Sequence, residues 1–166
     1  MGLIAINASH STGSTTHNLA MLATEVHGSG DVYDLAALDP AALVGVGKDA
    51  TVTKLLEAIP QASVLVFVTP IYRATYSGLL KIVLDQLPQA ALRGIPVVLA
   101  ATAASPAHFL ALDTGGRALV ASLEGWTVPT VVYATPADFD DDKRPLGTLR
   151  DQMTAALTQA KSIAER

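Results

Sequence analysis

Hydrophobic residues are concentrated in five short runs that alternate with longer amphipathic stretches. The runs are residues 3–7, 31–35, 63–68, 95–101 and 127–133. The third and fourth consist almost entirely of β-branched and aliphatic side chains, which is typical of parallel strands covered on both faces. The pattern therefore predicts a parallel sheet of five strands.

The segments between the runs predict helices, because their apolar residues recur every three to four positions. The predicted helices are residues 14–26, 50–59, 77–87, 105–123 and 143–166. Ser105 followed by Pro106 is typical of an N-cap with proline at the first helical position. Regular alternation of strand and helix predicts an α/β fold with right-handed crossovers, formed as a single domain over residues 1–166.

Composition narrows the classes of function. Half of the 166 residues are hydrophobic but only 16% are charged, where about 25% is usual. A surface with so little charge predicts that another subunit covers part of it. The net charge of −4, without clusters of lysine and arginine, argues against nucleic acid as a partner. The absence of cysteine excludes disulfides and thiol catalysis.

The sequence gives no sign of a signal peptide at its start, which lacks a basic region and a long apolar run. Residues 94–112 carry no formal charge, but Pro96, Thr102 and the Ser105-Pro106 pair interrupt this stretch. It is better interpreted as a buried strand followed by a helix start than as a membrane span. We expect a cytoplasmic protein.

Ligands of open parallel sheets bind beyond the carboxyl ends of the strands, so the loops after the first, third and fourth strands are the candidates for a site. The first loop, residues 7–16, holds six hydroxyl side chains and Gly13. Amides at the start of the following helix, with hydroxyls such as Ser9, Ser14 and Thr16, suit a phosphate group. The alternative is an ordinary capped helix start, but six hydroxyls exceed what one cap needs.

Other phosphate-binding and hydrolase motifs are missing from the chain. A dinucleotide loop requires three glycines after the first strand, and only Gly13 is present. Residues 45–48 lack the spacing of a P-loop, and no G-x-S-x-G sequence occurs.

The second loop, residues 69–76, contains Pro70 and two of the four tyrosines. A stiff loop with aromatic and apolar side chains suits a flat heterocycle.

Two motifs then resemble a known family. T-P-x-Y-x-x-x-Y-S-G-L-L-K-x-x-x-D at residues 69–85, together with the hydroxyl-rich first loop, resembles NADPH-dependent FMN reductases. T-A-A-S-P-A-H-x-L-A-x-D at residues 102–113 is similar to the sulfonate-utilisation FMN reductases, which supply reduced flavin to a partner monooxygenase. The resemblance runs from the first strand to about Tyr133. It implies a flavodoxin-like three-layer sandwich with strand order 2-1-3-4-5 and helices on both faces.

The resemblance also implies a set of cofactor-binding residues. The phosphate contacts are expected at Ser9, Ser14, Thr15 and Thr16, with His10 and Ser11 in the same loop. The isoalloxazine ring is expected beside Thr69, Pro70, Ile71, Tyr72 and Arg73, and its pyrimidine end beside Ala103, Ala104 and Ser105. Two of these residues keep an alternative: His10 contacts the phosphate or is an exposed loop residue, and Arg73 binds a nicotinamide nucleotide or is solvated.

The chain departs from the family pattern at three places. The family often has arginine where Ser11 stands and two glycines where Ala103 and Ala104 stand. The sulfonate branch often has an aromatic insertion, associated with a π-bulge, where Thr114 stands. Gly115 and Gly116 follow it, and glycine is a weak helix former, so we expect an irregular helix there.

The function implied by the resemblance is reduction of FMN by NADPH or NADH. Hydride passes from nicotinamide to flavin N5, so no catalytic side chain is expected, and the helix start at Ser105 is expected to stabilise the reduced flavin. The acceptor is a quinone, a partner monooxygenase or a similar oxidant, and helix 77–87 is expected at the interface of a homodimer or homotetramer. The acidic residues within 138–142 are interpreted as a solvated loop, and no metal is expected. The alternatives are a flavin-binding electron carrier and a flavin-free interaction protein.

Overall fold

The hydrophobic runs form one sheet in the computed structural model, which describes residues 2–165. The strands are β1 (Leu3–Asn7), β2 (Asp31–Asp34), β3 (Val64–Tyr72), β4 (Thr75–Tyr76), β5 (Pro96–Thr102), β6 (Trp126–Thr127) and β7 (Val132–Ala134). The parallel strands follow the order β2-β1-β3-β5, and both β6 and β7 pair with β5 at the next position. The 2-1-3-4-5 order of flavodoxin-like folds is therefore confirmed. The short β4 is an antiparallel addition to the end of β3.

The predicted fifth strand is divided in two because its backbone hydrogen bonding is interrupted. Val128 still donates to the Val97 carbonyl at 3.0 Å. Pro129 follows and has no N–H to donate. The N–H of Thr130 turns to the side chain of Gln159 at 3.0 Å instead of to β5. Pairing with β5 resumes only at β7.

Helices cover both faces of the sheet, as predicted. They are α1 (Thr15–His27), α2 (Pro40–Leu43), α3 (Ala50–Ala58), α4 (Gly78–Leu84), α5 (Arg117–Ser122) and α6 (Gly147–Ala164). One core cluster joins α1 and α6 to Val64 and Val66, and the other joins α3, α4 and α5 to Leu65 and Phe67. Alternate residues of β3 thus enter opposite cores, which is the period of a strand covered on both faces.

The helix predicted over residues 105–123 is broken into three pieces. A 3₁₀ turn at Pro106–His108 comes first, a π-helical turn at Leu112–Gly116 follows, and α5 completes the segment. The expected irregularity is confirmed. The Thr114 hydroxyl donates to the carbonyls of Leu110 and Ala111, both at 3.2 Å, and a Cβ on Gly116 would lie 3.1 Å from the side chain of Leu99. The segment therefore approaches the sheet more closely than larger residues would permit.

The last helix begins at Gly147, four residues later than predicted. Residues 135–146 form a tight loop in which Lys143 has a φ of 62° and Phe139 bridges to Pro145. A helix cannot start at Lys143 because Lys143 is left-handed and because Pro145 disfavours the helical conformation of Arg144 before it. The predicted end of this helix, Arg166, lies outside the described residues. Within residues 2–165 no helix is both long and apolar enough to span a bilayer.

Candidate functional site

A cavity of about 540 Å³ opens where β1, β3, β5 and β7 end at the same edge of the sheet. All three loops expected to form a site reach it: the first loop (residues 7–16), the second loop (residues 69–76) and the third loop (residues 102–105). The loop between β7 and α6, here called the fourth loop (residues 135–146), forms the remaining wall. Segments far apart in the sequence thus share one pocket, of a size that suits a small organic ligand.

Two side-chain hydroxyls of the first loop form hydrogen bonds with backbone amides of the same segment. The Ser9 hydroxyl accepts the N–H of Ser11 at 3.2 Å, and the Ser14 hydroxyl caps α1 by accepting the N–H of His17 at 3.2 Å. Gly13 reverses the chain between them with a φ of 65°. The amides of Thr15 and Thr16 lie in the first turn of α1, where N–H groups have no partner within the helix. These amides carry the positive end of the helix dipole at the cavity wall.

A buried polar network holds this loop against the sheet. Asn7 is fully buried, its side-chain oxygen accepts the N–H of Ser9 at 3.1 Å, and its amide donates to Asp34 at 2.6 Å. Asp34, at the end of β2, also pairs with His17 of α1 at 2.9 Å. The network joins β1, β2 and α1 directly behind the hydroxyl-rich loop, so the position of that loop is fixed by the core.

The second loop is a hairpin whose walls are apolar. Pro70, Ile71 and Tyr72 line the cavity at the end of β3, and Arg73 and Ala74 form the turn with φ values of 51° and 63°. Tyr72 is 48% exposed at the mouth of the cavity. The ring of His10 meets it edge-on, with 5.4 Å between the ring centroids.

Thr69 ties the loops together instead of facing the cavity. It is fully buried, and its hydroxyl accepts the N–H of Ser77 at 2.9 Å. The Ser77 hydroxyl donates in turn to the carbonyl of Ala8 at 2.7 Å. The second loop is thereby fastened to the first.

The third loop is hydrogen-bonded to α1 on one side and to β7 on the other. The Thr102 hydroxyl lies 2.7 Å from that of Thr16 on α1, and the N–H of Ala103 donates to the Ala134 carbonyl at 2.9 Å. The Tyr133 hydroxyl donates to the Ser105 carbonyl at 2.7 Å, and partial burial raises the pKa of that tyrosine, so it remains a donor. Where a helix start was predicted, the structure has a single 3₁₀ turn whose Ala107 amide already bonds the Ser105 hydroxyl.

The structure brings most of the predicted site residues together. The cavity is lined by Ser9, Ser11, Ser14, Thr15, Thr16, Pro70, Ile71, Tyr72, Ala103 and Ala104. Four others lie next to it without lining it: His10, Thr69, Arg73 and Ser105. Of these, Thr69 is buried and the other three are exposed.

A comparison with known proteins decides the family. The family model of NADPH-dependent FMN reductases matches residues 1–140. This chain belongs to that family. The NADH-dependent FMN reductase SfnF of Pseudomonas fluorescens is 43% identical over 133 residues, which are 80% of this chain and 71% of SfnF. The FMN reductase (NADPH) of Pseudomonas aeruginosa is 38% identical over 133 residues, 80% of this chain and 72% of that protein.

A solved structure agrees with the sequence relatives. The NADH:FMN oxidoreductase EMOB, in its apo form, superposes with a TM-score of 0.85 at 33% identity. The match covers 99% of this chain and 88% of that one. The chain is therefore an oxidoreductase that reduces FMN with a nicotinamide nucleotide, and FMN and NAD(P)H are its cofactors.

The cavity of this FMN reductase fits its cofactor. The first loop offers hydroxyls and helix-start amides, which suit a phosphate. Pro70, Ile71 and Phe139 offer apolar walls, which suit a flat ring. One pocket thus offers both polar and apolar lining, as an amphiphilic ligand requires.

The fourth loop of this FMN reductase was not predicted to belong to the site. Its lining residues include Thr135, Pro136, Phe139, Asp140 and Lys143. The Asp138 carboxylate shapes the loop by accepting both the N–H and the hydroxyl of Thr135 at 2.8 Å, so the interpretation of residues 138–142 as a solvated loop is wrong for Asp138. The sequence could have indicated this loop. Ligands bind beyond the carboxyl ends of parallel strands, and the fifth strand ends at the same edge of the sheet as the others.

Proposed function

We propose that the cavity binds FMN with its phosphate at the start of α1 and its ring between the second and third loops. The observation that carries this proposal is the convergence of a hydroxyl-rich helix start and apolar loop walls on one pocket. Ser9, Ser14 and the amides of Thr15 and Thr16 bind the phosphate. Pro70 and Ile71 contact the ring.

The residues of the chain act by binding and orienting rather than by acid or base chemistry. Bound FMN supplies a hydride acceptor. The task of the second loop is to hold the nicotinamide nucleotide over the flavin and to exclude water from between them. Tyr72 stands at the cavity mouth, and the exposed Arg73 beside it binds the phosphate of the nucleotide.

The placement of the phosphate is tested with Ser14→Ala and the control Ser162→Ala, which removes a hydroxyl from the exposed face of α6. Binding of FMN and riboflavin is measured by flavin fluorescence. Ser14→Ala is expected to weaken FMN binding by about 1 kcal/mol, roughly fivefold, and to leave riboflavin binding unchanged. Unchanged FMN binding would place the phosphate elsewhere.

The nicotinamide position is tested by steady-state oxidation of NADH and NADPH with excess FMN. Turnover with at least one nucleotide separates the reductase from a flavin-binding electron carrier. Arg73→Gln is expected to raise the KM for the nucleotide with little change in kcat. The reason is that an arginine bound to the nucleotide phosphate contributes equally to binding before and during hydride transfer. An unchanged KM would mean that Arg73 is a solvated loop residue.

We propose further that reduced flavin, or its electrons, passes to a second acceptor such as a partner monooxygenase or a quinone. The resemblance to sulfonate-utilisation reductases supports a monooxygenase. Anaerobic reduction followed by ultrafiltration tests this proposal. Reduced flavin in the filtrate supports transfer by diffusion, whereas flavin retained with the protein supports transfer of electrons from a bound cofactor.

A homodimer or homotetramer is also proposed. Large apolar side chains stay exposed on the isolated chain, among them Val46 at 84%, Phe109 at 57% and Trp126 at 54%. Light scattering after size exclusion is expected to give two or four times the chain mass of 17.2 kDa. A monomer at micromolar concentration would contradict the proposal.

A further inference from the structure

The phosphate-binding part of the cavity is short of positive charge. The first loop contains no lysine or arginine. Among the described residues that line the cavity, Lys143 of the fourth loop is the single lysine or arginine, and Asp140 is the single carboxylate. Neutral donors alone leave a phosphate dianion without an opposite charge to pair with, whereas a lysine or arginine would add one.

The backbone of Lys143 is fixed to the same helix that offers its amides to the phosphate. The Lys143 carbonyl accepts the side-chain amide of Asn18 at 2.8 Å, and its N–H donates to the Asp140 carbonyl at 2.9 Å. Asn18 lies in the first turns of α1, and its own N–H bonds the Ser14 carbonyl at 3.1 Å. Two hydrogen bonds thus connect Lys143 to the cap residue of α1.

The carboxylates near Lys143 in the sequence interact with another residue, Arg144. Asp142 pairs with Arg144 at 3.2 Å, and the Asp140 carboxylate accepts the N–H of Arg144 at 2.7 Å. In the described part of the chain no ion pair within 4.0 Å involves Lys143, and the same holds for Lys48 and Lys54, but of these three only Lys143 lines the cavity. Lys143 also holds a left-handed backbone conformation, which is uncommon for a residue with a side chain.

We propose that Lys143 is the cation of the phosphate site, reaching from the fourth loop to the FMN phosphate at the start of α1. This inference rests on the proposed placement of FMN. It assigns to the fourth loop a role in selecting the phosphorylated flavin over riboflavin. Asp140 opposes that role because its negative charge lines the same cavity.

The test compares Lys143→Met, Lys143→Arg and the control Lys161→Met. Methionine matches the unbranched stem of lysine and removes only its terminal ammonium group and charge. Lys161 lies near the far end of α6, and its replacement changes the net charge equally. Dissociation constants for FMN and for riboflavin are measured at low and at physiological ionic strength, and circular dichroism checks the fold.

Lys143→Met is expected to weaken FMN binding about tenfold, as for the loss of a bond to a charged group, with riboflavin binding unchanged. Lys143→Arg should retain most of the FMN affinity, and Lys161→Met all of it. FMN binding by the unaltered protein should weaken with added salt more than binding by Lys143→Met. Asp140→Asn should tighten FMN binding a few fold, because it removes a negative charge from the cavity that binds the phosphate.

Three results would overturn the inference. An equal loss of FMN and riboflavin binding would show that Lys143 acts on the ring or on loop shape. Unchanged FMN binding by Lys143→Met would show that Lys143 is not the cation of the phosphate site. Equal binding of FMN and riboflavin by the unaltered protein would contradict the placement of the phosphate itself, and Ser14→Ala would then also be without effect.

Discussion

The hydroxyl pair between Thr16 and Thr102 offers a sharp test of how the site is held together. The two side-chain oxygens lie 2.7 Å apart and join α1 to the end of β5. Both residues are buried, with 2% and 8% exposure. The perturbation is replacement by valine, singly as Thr16→Val and Thr102→Val and together in the double variant. Valine keeps the branched shape of threonine and replaces its hydroxyl with a methyl group.

The expected loss of unfolding free energy depends on whether the substitution leaves a buried hydroxyl without its partner. A single replacement leaves one buried hydroxyl without its partner, which costs about 1–3 kcal/mol of unfolding free energy. The double replacement leaves no orphaned hydroxyl and buries two methyl groups, so its loss is expected to be smaller than that of either single variant. The coupling between Thr16 and Thr102, which is the sum of the two single losses minus the double loss, is then larger than either single loss.

The assay is urea denaturation of the FMN-free protein, followed by circular dichroism. Shifts of the midpoint at unchanged slope report stability, and a changed slope would indicate an altered unfolded or native state. Thr158→Val, on the exposed face of α6, is the matched control and is expected to change stability by less than about 0.5 kcal/mol. If the double variant lost the sum of the two single losses, the hydroxyls would not be bonded to one another, and the link between these loops would be refuted.

Three further predictions concern other parts of the fold. Tyr133→Phe removes the hydrogen bond to the third loop and should lower the unfolding free energy by about 1 kcal/mol in urea. Gly30→Ala should destabilise by about 1–3 kcal/mol, because its φ is 150° and a Cβ would lie 2.8 Å from the Leu3 carbonyl oxygen. Arg93 lowers the pKa of Glu124 by hydrogen bonding, so this pair stabilises the fold above the ordinary carboxylate pKa and less as the pH falls. Arg93→Gln should return the Glu124 pKa, followed by NMR, toward its ordinary value.

Each of these has a result that would count against it. A Tyr133→Phe protein as stable as its parent would mean that water replaces the phenol hydroxyl without loss. A fully stable Gly30→Ala protein would mean that the turn before β2 relaxes freely. A Glu124 carboxylate that titrates identically with and without Arg93 would mean that the pair is not formed in solution.

The strands follow from the sequence because buried strands leave a strong local signal, whereas their order was predicted only through the family resemblance. The continuous apolar runs of β3 and β5, rich in β-branched residues, are typical of strands covered on both faces. The break in the fifth strand also has a local cause, Pro129, which the apolar run around it conceals. The start of α6 depends instead on contacts between distant residues, such as the Asn18 amide on the Lys143 carbonyl, and no window of sequence contains both.

The site was predictable as a set of loops and less so as a set of side chains. Hydroxyl content alone does not distinguish a group that faces the cavity from one that fastens two loops. Ser9 lines the cavity, whereas the equally buried Thr69 bonds Ser77. Lys143 carries no motif, and only its position in space connects it to the first loop.

The bonds that join the loops have a consequence for how the enzyme loads its flavin. Thr16 meets Thr102, Ser77 meets Ala8, and Ala103 meets Ala134, all through hydrogen bonds within the protein. The pocket is therefore preorganised, and little conformational entropy is lost when a molecule enters it. The affinity of such a pocket is set by its contacts and charge rather than by refolding of its walls.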